Sequence, residues 1–188
     1  MNRSIRCLAL ICAAAALVAQ DRPATKEVVK VTKVTTPPRK LQFEVIVPAP
    51  VDKVWEAMTT TAGLITWIAP DAKVDLRPGG DWLALFPGTA GGGTIISLKP
   101  EERLEISALA PAAFPTVRKE RTNAVFELEA VDANNTRVSL TQTGWKDGPE
   151  WDKAFDSLAG GNAQLLAGLR QRFITGPIDW NKIFAQHK

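Results

Sequence analysis

Four polar side chains could point into an otherwise apolar interior, and they are the main candidates for chemistry in this sequence. If a strand begins near Arg118, alternation places Arg118 and Glu120 on the same face as the apolar residues that follow, which is the inner face. Gln142 lies on the same face of its predicted strand as the apolar residues of that strand, and Asn162 lies on the apolar stripe of a long predicted helix. In this arrangement Glu120 could act as a general base and Arg118 could stabilise a developing anion.

Each of these candidates has a purely structural alternative. Arg118 and Glu120 could form an exposed ion pair at a frayed strand start, worth at most about 1 kcal/mol. Asn162 could hydrogen-bond backbone groups freed at a helix bend, because Gly160-Gly161 directly precede it. Gln142 has the cleanest strand pattern around it and is therefore the strongest inward-facing candidate.

Histidine and cysteine offer little to a catalytic or metal site. His187 is the only histidine and lies near the C-terminus, and Cys7 and Cys12 are the only cysteines. A zinc site of histidine and cysteine and a serine-histidine triad therefore lack their components. The chain has no Asp-rich calcium loop, and the glycines of residues 88–93 lack the lysine and hydroxyl residue of a phosphate loop. The sequence predicts neither a metal nor a cofactor.

Residues 1–19 have the composition of a secretion signal. Arg3 and Arg6 form a basic start, residues 7–18 are uncharged and apolar, and Ala16 and Ala19 are small residues suited to cleavage. The apolar run is shorter than a bilayer-spanning helix of about 20 residues, although an uncleaved anchor is the alternative. Cleavage of the signal removes its two arginines, so 23 basic residues become 21, against 20 acidic ones. This nearly neutral balance argues against a nucleic-acid partner. We predict an exported protein, periplasmic or secreted, without an integral membrane segment after cleavage.

The elements that must position the candidate residues begin after a polar lead. Residues 20–40 contain several prolines and could form at most a marginal edge strand. Two short helices, near residues 51–58 and 61–67, follow the first strand, and residues 87–93 are expected to form a flexible glycine-rich loop. Alternating apolar and polar residues predict about seven strands in all, over residues 41–47, 72–76, 81–86, 94–98, 103–109, 118–131 and 137–143.

The longest helical pattern lies near the C-terminus. Apolar residues at three- and four-residue spacing form one stripe along residues 151–173, and Gly176-Pro177 ends the helix. Gly160-Gly161 in its middle predict a bend or a close approach by another group. Residues 176–188 form a tail that is expected to pack back onto the domain. These patterns predict an α+β domain in which an antiparallel sheet wraps around a long C-terminal helix.

Five segments resemble the START-like (SRPBCC) superfamily. The sequence APVDKVWEAMT from Ala49 resembles the first-helix signature of that superfamily, and Trp67 with Ala69-Pro70 resembles the end of its second helix. The sequence LRPGG from Leu76 is similar to its glycine turn. The sequences TQTGW at residues 141–145 and EWDKAF at residues 150–155 are similar to its last strand and the start of its last helix. Together they resemble the branch named after the activator of heat-shock-protein-90 ATPase.

The resemblance implies a helix-grip fold over residues 41–175, with a cavity between the sheet and the final helix. Members of the superfamily bind lipids, sterols, polyketides or plant metabolites in this cavity, some catalyse cyclisation or hydrolysis, and many bacterial members have no assigned activity. The branch name describes a cytosolic co-chaperone, and an exported chain departs from that role.

The residue patterns and the resemblance together suggest three alternative functions. The first is the binding of an apolar small molecule, such as a lipid, polyketide or aromatic metabolite, in a cavity of roughly 300–1,000 Å³. The second is a cyclase- or hydrolase-type enzyme using Glu120 and Arg118, and the third is a protein-interaction module. Aromatic residues could line the cavity mouth, although core packing accounts for any one of them. The oligomeric state stays open. The predicted ligand-binding set comprises Trp67, Trp82, Phe114, Arg118, Glu120, Gln142, Trp145, Trp151, Phe155 and Asn162.

Overall fold

A computed structural model describes residues 28–185, so the predicted signal at residues 1–19 lies outside the described residues. The sheet contains eight antiparallel strands in the spatial order β1-β2-β8-β7-β6-β5-β4-β3. The predicted architecture, an antiparallel sheet with a long C-terminal helix, is confirmed. The strands are β1 (Lys30–Val34), β2 (Lys40–Val47), β3 (Asp71–Val74), β4 (Asp81–Phe86), β5 (Thr89–Lys99), β6 (Arg103–Ala108), β7 (Thr122–Asp132) and β8 (Asn135–Thr143). The helices are α1 (Val51–Thr59), α2 (Thr61–Leu64), α3 (Pro115–Glu120), α4 (Pro149–Thr175) and α5 (Trp180–Ala185).

The sheet is built from a local meander and one long-range pairing. Strands β3 to β7 each pair with the next strand in the chain, with α3 inserted between β6 and β7, whereas β2 pairs with β8. Strand β1, which the sequence allowed only as a marginal edge strand, pairs with β2 and brings the number of strands to eight. Helix α4 packs mainly against β2, on the face that carries the alternate buried residues of that strand.

Two buried indoles join the short helices to the rest of the core. Trp67 Nε1 donates a hydrogen bond to Ala57 O at 2.9 Å, and Trp82 Nε1 donates one to Met58 O at 2.7 Å. Both tryptophans are at most 3% exposed. Because each ring is buried with its single polar atom paired, α1 is fixed against α2 and against β4 without a desolvation penalty.

The strand predicted over residues 118–131 is confirmed from Thr122 onward as β7, but its start is wrong, because residues 118–120 belong to α3. Pro115 occupies the first turn of α3, where proline is tolerated. Glu150, from the start of α4, accepts hydrogen bonds from two amides of that same turn, at 2.7 and 3.1 Å. Arg121 then ends the helix with a φ of 69°. The alternation pattern could not reveal a helix whose first turn is capped by a distant carboxylate.

The predicted flexible loop at residues 87–93 is also wrong, because most of it belongs to β5. A Cβ atom on Gly92 would stand 2.1 Å from the carbonyl oxygen of Trp82 in β4. A Cβ atom on Gly93 would stand 2.1 Å from the carbonyl oxygen of Ser107 in β6. Glycine is therefore required here by the close approach of neighbouring backbones within the sheet, not by loop flexibility.

Helix α4 runs unbroken for 27 residues, through Gly160 and Gly161. Apart from the backbone of α4 itself and the residues adjacent in the chain, no atom of residues 28–185 lies within 4 Å of the position that a Cβ would take on either glycine. Beyond α4 the chain returns to the end of α2, where the amide of Ile178 donates to Thr66 O at 2.9 Å and Trp180 Nε1 donates to Ile65 O at 2.6 Å. Within residues 28–185, no helix is both long enough and apolar enough to cross a membrane.

Candidate ligand-binding site

A chain of three neutral polar side chains crosses the interface between the sheet and α4. Asn162 Nδ2 on α4 donates to Gln142 Oε1 on β8 at 2.7 Å, and Gln142 Nε2 donates to Thr122 Oγ1 on β7 at 2.7 Å. Gln142 is 3% exposed and Thr122 is 4% exposed, in a core that is otherwise apolar. The sequence predicted Gln142 and Asn162 as inward-facing residues but did not predict that they contact each other.

Asn162 is less buried than other residues on the inward side of α4. Phe155 and Leu169 each lie seven residues from Asn162, close to two helical turns away and on the same face. They are 2% and 0% exposed, respectively, whereas Asn162 and its neighbours Leu158 and Leu165 are half-buried. Ala159, Ala163 and Leu166, which lie beside Asn162 on the same helix, are at most 7% exposed, so the buried face continues through the middle of α4 and Asn162 lies at its border, where solvent can reach it.

The hydrogen-bonding capacity of Asn162 is only partly used. A side-chain amide offers two donor protons and one acceptor oxygen. Within residues 28–185, Nδ2 of Asn162 bonds to Gln142, and its Oδ1 has no protein hydrogen-bond donor and is not sealed from solvent. A ligand beside Asn162 could therefore donate a hydrogen bond to this oxygen. The three side chains of the polar chain carry no charge, so they suit a neutral polar group rather than an ion.

The inner face of the sheet beside Asn162 is filled by its own side chains. At most 2% of each large side chain that covers it is exposed, in a set formed by Trp82, Ile95, Leu104, Phe126 and Leu140. A separate depression of about 610 Å³ lies at the sheet edge, lined by residues 28–31 and 44–46, and does not include any residue of the predicted site. A ligand at Asn162 must therefore displace side chains or move α4 to gain volume.

An aromatic cluster closes the N-terminal end of α4. The Trp145 ring meets Trp151 and Phe155 edge to face, with centroids 6.4 and 5.0 Å apart. The Arg39 guanidinium lies 4.5 Å from the Phe155 centroid and donates to Asp152 Oδ1 at 2.7 Å. The sequence predicted the three aromatic residues but not Arg39, which lies in the polar lead where no periodic pattern indicates its contacts.

Arg118 and Glu120 do not share a pocket wall. Arg118 donates to Ala110 O at 2.5 Å and to Ala90 O at 3.0 Å, so its guanidinium ties the β4–β5 hairpin to the segment before α3. Glu120 forms an ion pair with Lys146 at the surface, with 37% of its side chain exposed. Arg118 and Glu120 therefore bind different partners. Their predicted joint role in catalysis depended on a shared strand face, and that strand face is absent here.

The structure therefore divides the predicted set into four groups. Gln142 and Asn162 meet where β8 faces α4, and the aromatic residues of α4 cluster with Trp145 at the N-terminal end of that helix. Trp67 and Trp82 lie in the core beneath α1 and α2. The fourth group, Phe114, Arg118 and Glu120, lies in and directly before α3. Ligand contact by these residues stays a prediction.

An eight-stranded antiparallel sheet folded over one long C-terminal helix, with two short helices between β2 and β3 in the chain, defines a helix-grip domain. The chain belongs to the family described as Activator of Hsp90 ATPase homolog 1-like protein, whose sequence model matches residues 48–173. This family is of the SRPBCC type, and its fold is consistent with a ligand-binding domain. No curated protein matches the chain.

Solved structures with the same fold share about a fifth of their residues with this chain. The Aha1 dimer from Colwellia psychrerythraea is 21% identical, with a TM-score of 0.60, and the match covers 73% of this chain and 97% of that one. CalU16 from Micromonospora echinospora is 22% identical, with a TM-score of 0.56 and coverages of 84% and 91%. DynU16, from the dynemicin biosynthetic locus, is 20% identical, with a TM-score of 0.58 and coverages of 73% and 48%. At these identities the similarity shows the fold alone.

Proposed function

We propose that this protein binds a neutral apolar small molecule between the sheet and α4, with one polar group of the ligand hydrogen-bonded to Asn162. The observation that carries the proposal is the polar chain from Thr122 through Gln142 to Asn162, which is buried at one end and accessible at the other. A few convergent polar groups in apolar surroundings are the usual composition of a small-molecule site. The location of DynU16 in a biosynthetic locus supports the same class of function.

A lipid, polyketide or aromatic metabolite satisfies these requirements, provided that it carries a hydroxyl or another neutral donor. An anionic group at the same place would lose its hydration without gaining an ion-pair partner, because all three side chains of the polar chain are neutral. The site therefore favours neutral ligands over free carboxylates or phosphates.

Native mass spectrometry of the protein from its own host tests the proposal most directly. The intact mass is compared with the mass after denaturation, and a released molecule of defined mass is the expected result. Its mass and fragmentation then give the ligand class. A protein that is bare in its host cells, and that also fails to bind the probe described next, would contradict the proposal.

A matched pair of probes tests the role of Asn162. 2-Naphthol is neutral and carries one hydroxyl donor, whereas 2-methoxynaphthalene has the same rings without that donor. Asn162→Leu should weaken 2-naphthol binding by roughly 3- to 10-fold, the range expected for one neutral hydrogen bond, and leave 2-methoxynaphthalene unchanged. Gln164→Leu, at an exposed position on the same helix, is the control and should change neither affinity. An equal loss for both probes in Asn162→Leu would refute the hydrogen bond.

We further propose that the mature protein is exported after cleavage near residue 19. The basic start, the apolar run and the small residues of the N-terminal sequence support this proposal. Fractionation of host cells, combined with the mass of the mature chain, tests it. A full-length chain recovered in the cytoplasm would refute it.

A further inference from the structure

The two consecutive glycines at the middle of α4 have no role in local packing. Both residues are exposed and neither has a positive φ; apart from the backbone of α4 itself and the residues adjacent in the chain, no atom of residues 28–185 lies within 4 Å of where a Cβ would stand on either one. Glycine is among the least favourable residues in a helix interior. Alanine would fit both positions and stabilise the helix, so the structure gives no static reason for glycine here.

The halves of α4 on either side of the glycines are anchored separately. In the N-terminal half, Asp152 pairs with Arg39 at 2.7 Å and Asp156 pairs with Lys33 at 2.8 Å. In the C-terminal half, Arg170 Nε donates to Ile46 O at 3.1 Å. The helix is thus held to the β1–β2 side of the sheet at both ends.

The only side-chain hydrogen bond from the residues next to the glycines to the sheet, within the described part of the chain, is the one from Asn162 to Gln142. The least favourable backbone of the helix therefore lies next to Asn162, a half-buried residue at the border of its inward face. The same place borders the packed interior, which has to open before it can admit a ligand.

We propose that Gly160 and Gly161 form a hinge, at which the middle of α4 bends away from the sheet and opens the interior at Asn162 to the ligand. This inference rests on the proposed binding function. Opening breaks the helical hydrogen bonds that span the pair, which are those donated by the amides of residues 160–164. It leaves the anchored ends in place, so it costs less than unfolding the helix.

Amide hydrogen exchange of the full, unliganded chain tests the hinge without any ligand. In the wild type, the amides of residues 160–164 should exchange at least 10-fold faster than those one turn further along on either side. Each glycine-to-alanine change should slow exchange there about 5-fold, and Gly160→Ala/Gly161→Ala together about 30-fold. Ser157→Ala, an exposed change one turn earlier, is the control and should have an effect of about 2-fold at most. Equal protection along the whole helix in the wild type would overturn the hinge.

Stopped-flow association of 2-naphthol tests the coupling of the hinge to binding. Gly160→Ala/Gly161→Ala should slow association by a factor similar to its effect on exchange, whereas Ser157→Ala should not. Slower exchange with an unchanged association rate would overturn the role of the hinge in ligand access. If 2-naphthol binds neither the wild type nor the variants, the proposed function fails for this probe, and hydrogen exchange still decides whether the hinge exists.

Discussion

Replacing Gln142 by leucine separates the contribution of the polar chain to stability from its contribution to binding. The change removes both 2.7 Å hydrogen bonds of Gln142 while keeping a side chain of similar size. Asn162 is half-buried and can turn to water, but the hydroxyl of Thr122, a residue that is 4% exposed, loses its partner in the core. An unpaired buried hydroxyl costs about 1–3 kcal/mol, so we expect a loss of that size in the free energy of unfolding.

The matching double variant should recover most of this loss. Thr122→Val alone leaves the buried amide of Gln142 without its acceptor and should also cost about 1–3 kcal/mol. Thr122→Val with Gln142→Leu removes both partners together, and apolar pairs of similar shape can replace such groups at nearly no cost. We expect the double variant to lie within about 1 kcal/mol of the wild type, which is a strong positive coupling between the two positions.

Urea unfolding at a constant slope m gives these free energies, and the melting temperature should fall by about 2–4 °C for each kcal/mol lost. If Gln142→Leu costs nothing, the hydrogen bonds of the polar chain contribute no stability and the reasoning fails. It also fails if the losses of the two single changes simply add in the double variant. A stable double variant that no longer distinguishes 2-naphthol from 2-methoxynaphthalene would show that the polar chain serves binding.

Three further predictions concern other parts of the fold. Gly93→Ala should destabilise the protein by about 1–3 kcal/mol or more in urea unfolding, because its Cβ would meet a backbone carbonyl of β6, whereas Gly91→Ala has free space and should be neutral. The hydrogen bond from Asn123, followed by those from neighbouring side chains, lowers the pKa of Glu105 below its ordinary value of 4.5. Glu105 should therefore stabilise the fold above about pH 4.5 and lose this effect as the pH falls through its lowered pKa, a dependence that Glu105→Gln should reduce in acid titrations of stability. Glu150→Ala should speed amide exchange in the first turn of α3, since it removes the carboxylate that accepts there, and unchanged exchange would refute the capping role.

The sequence predicted those parts of the fold that depend on local periodicity. The alternation in β8 placed Gln142 correctly because both neighbouring strands continue the same pattern. The stripe on α4 correctly placed Trp151, Phe155 and Leu169 in the core. It could not show that Asn162 is accessible, because the exposure of one residue on a helical face depends on what stands opposite it.

The errors arose where contacts between distant parts of the chain override the local pattern. The prediction of a strand at Arg118 failed because α3 is capped by Glu150, 34 residues from Thr116 in the sequence. The glycines of β5 were taken for a flexible loop because glycine is common in turns, whereas here they admit the backbones of β4 and β6. Neither the capping carboxylate nor the backbone approach has a signature within a short window of residues.

The pairing of β2 with β8 also sets the order in which the chain can fold. The β3–β8 meander consists of neighbouring strands, and its loops are short enough to close early. Val45 of β2 can pair with Val138 of β8 only after that late part of the chain has been synthesised. Until β8 emerges from the ribosome, the β1–β2 pair cannot join the rest of the sheet, so the nascent chain carries an apolar strand with one unpaired edge through most of its synthesis. Chaperone dependence should therefore be greatest for nascent chains that end before β8.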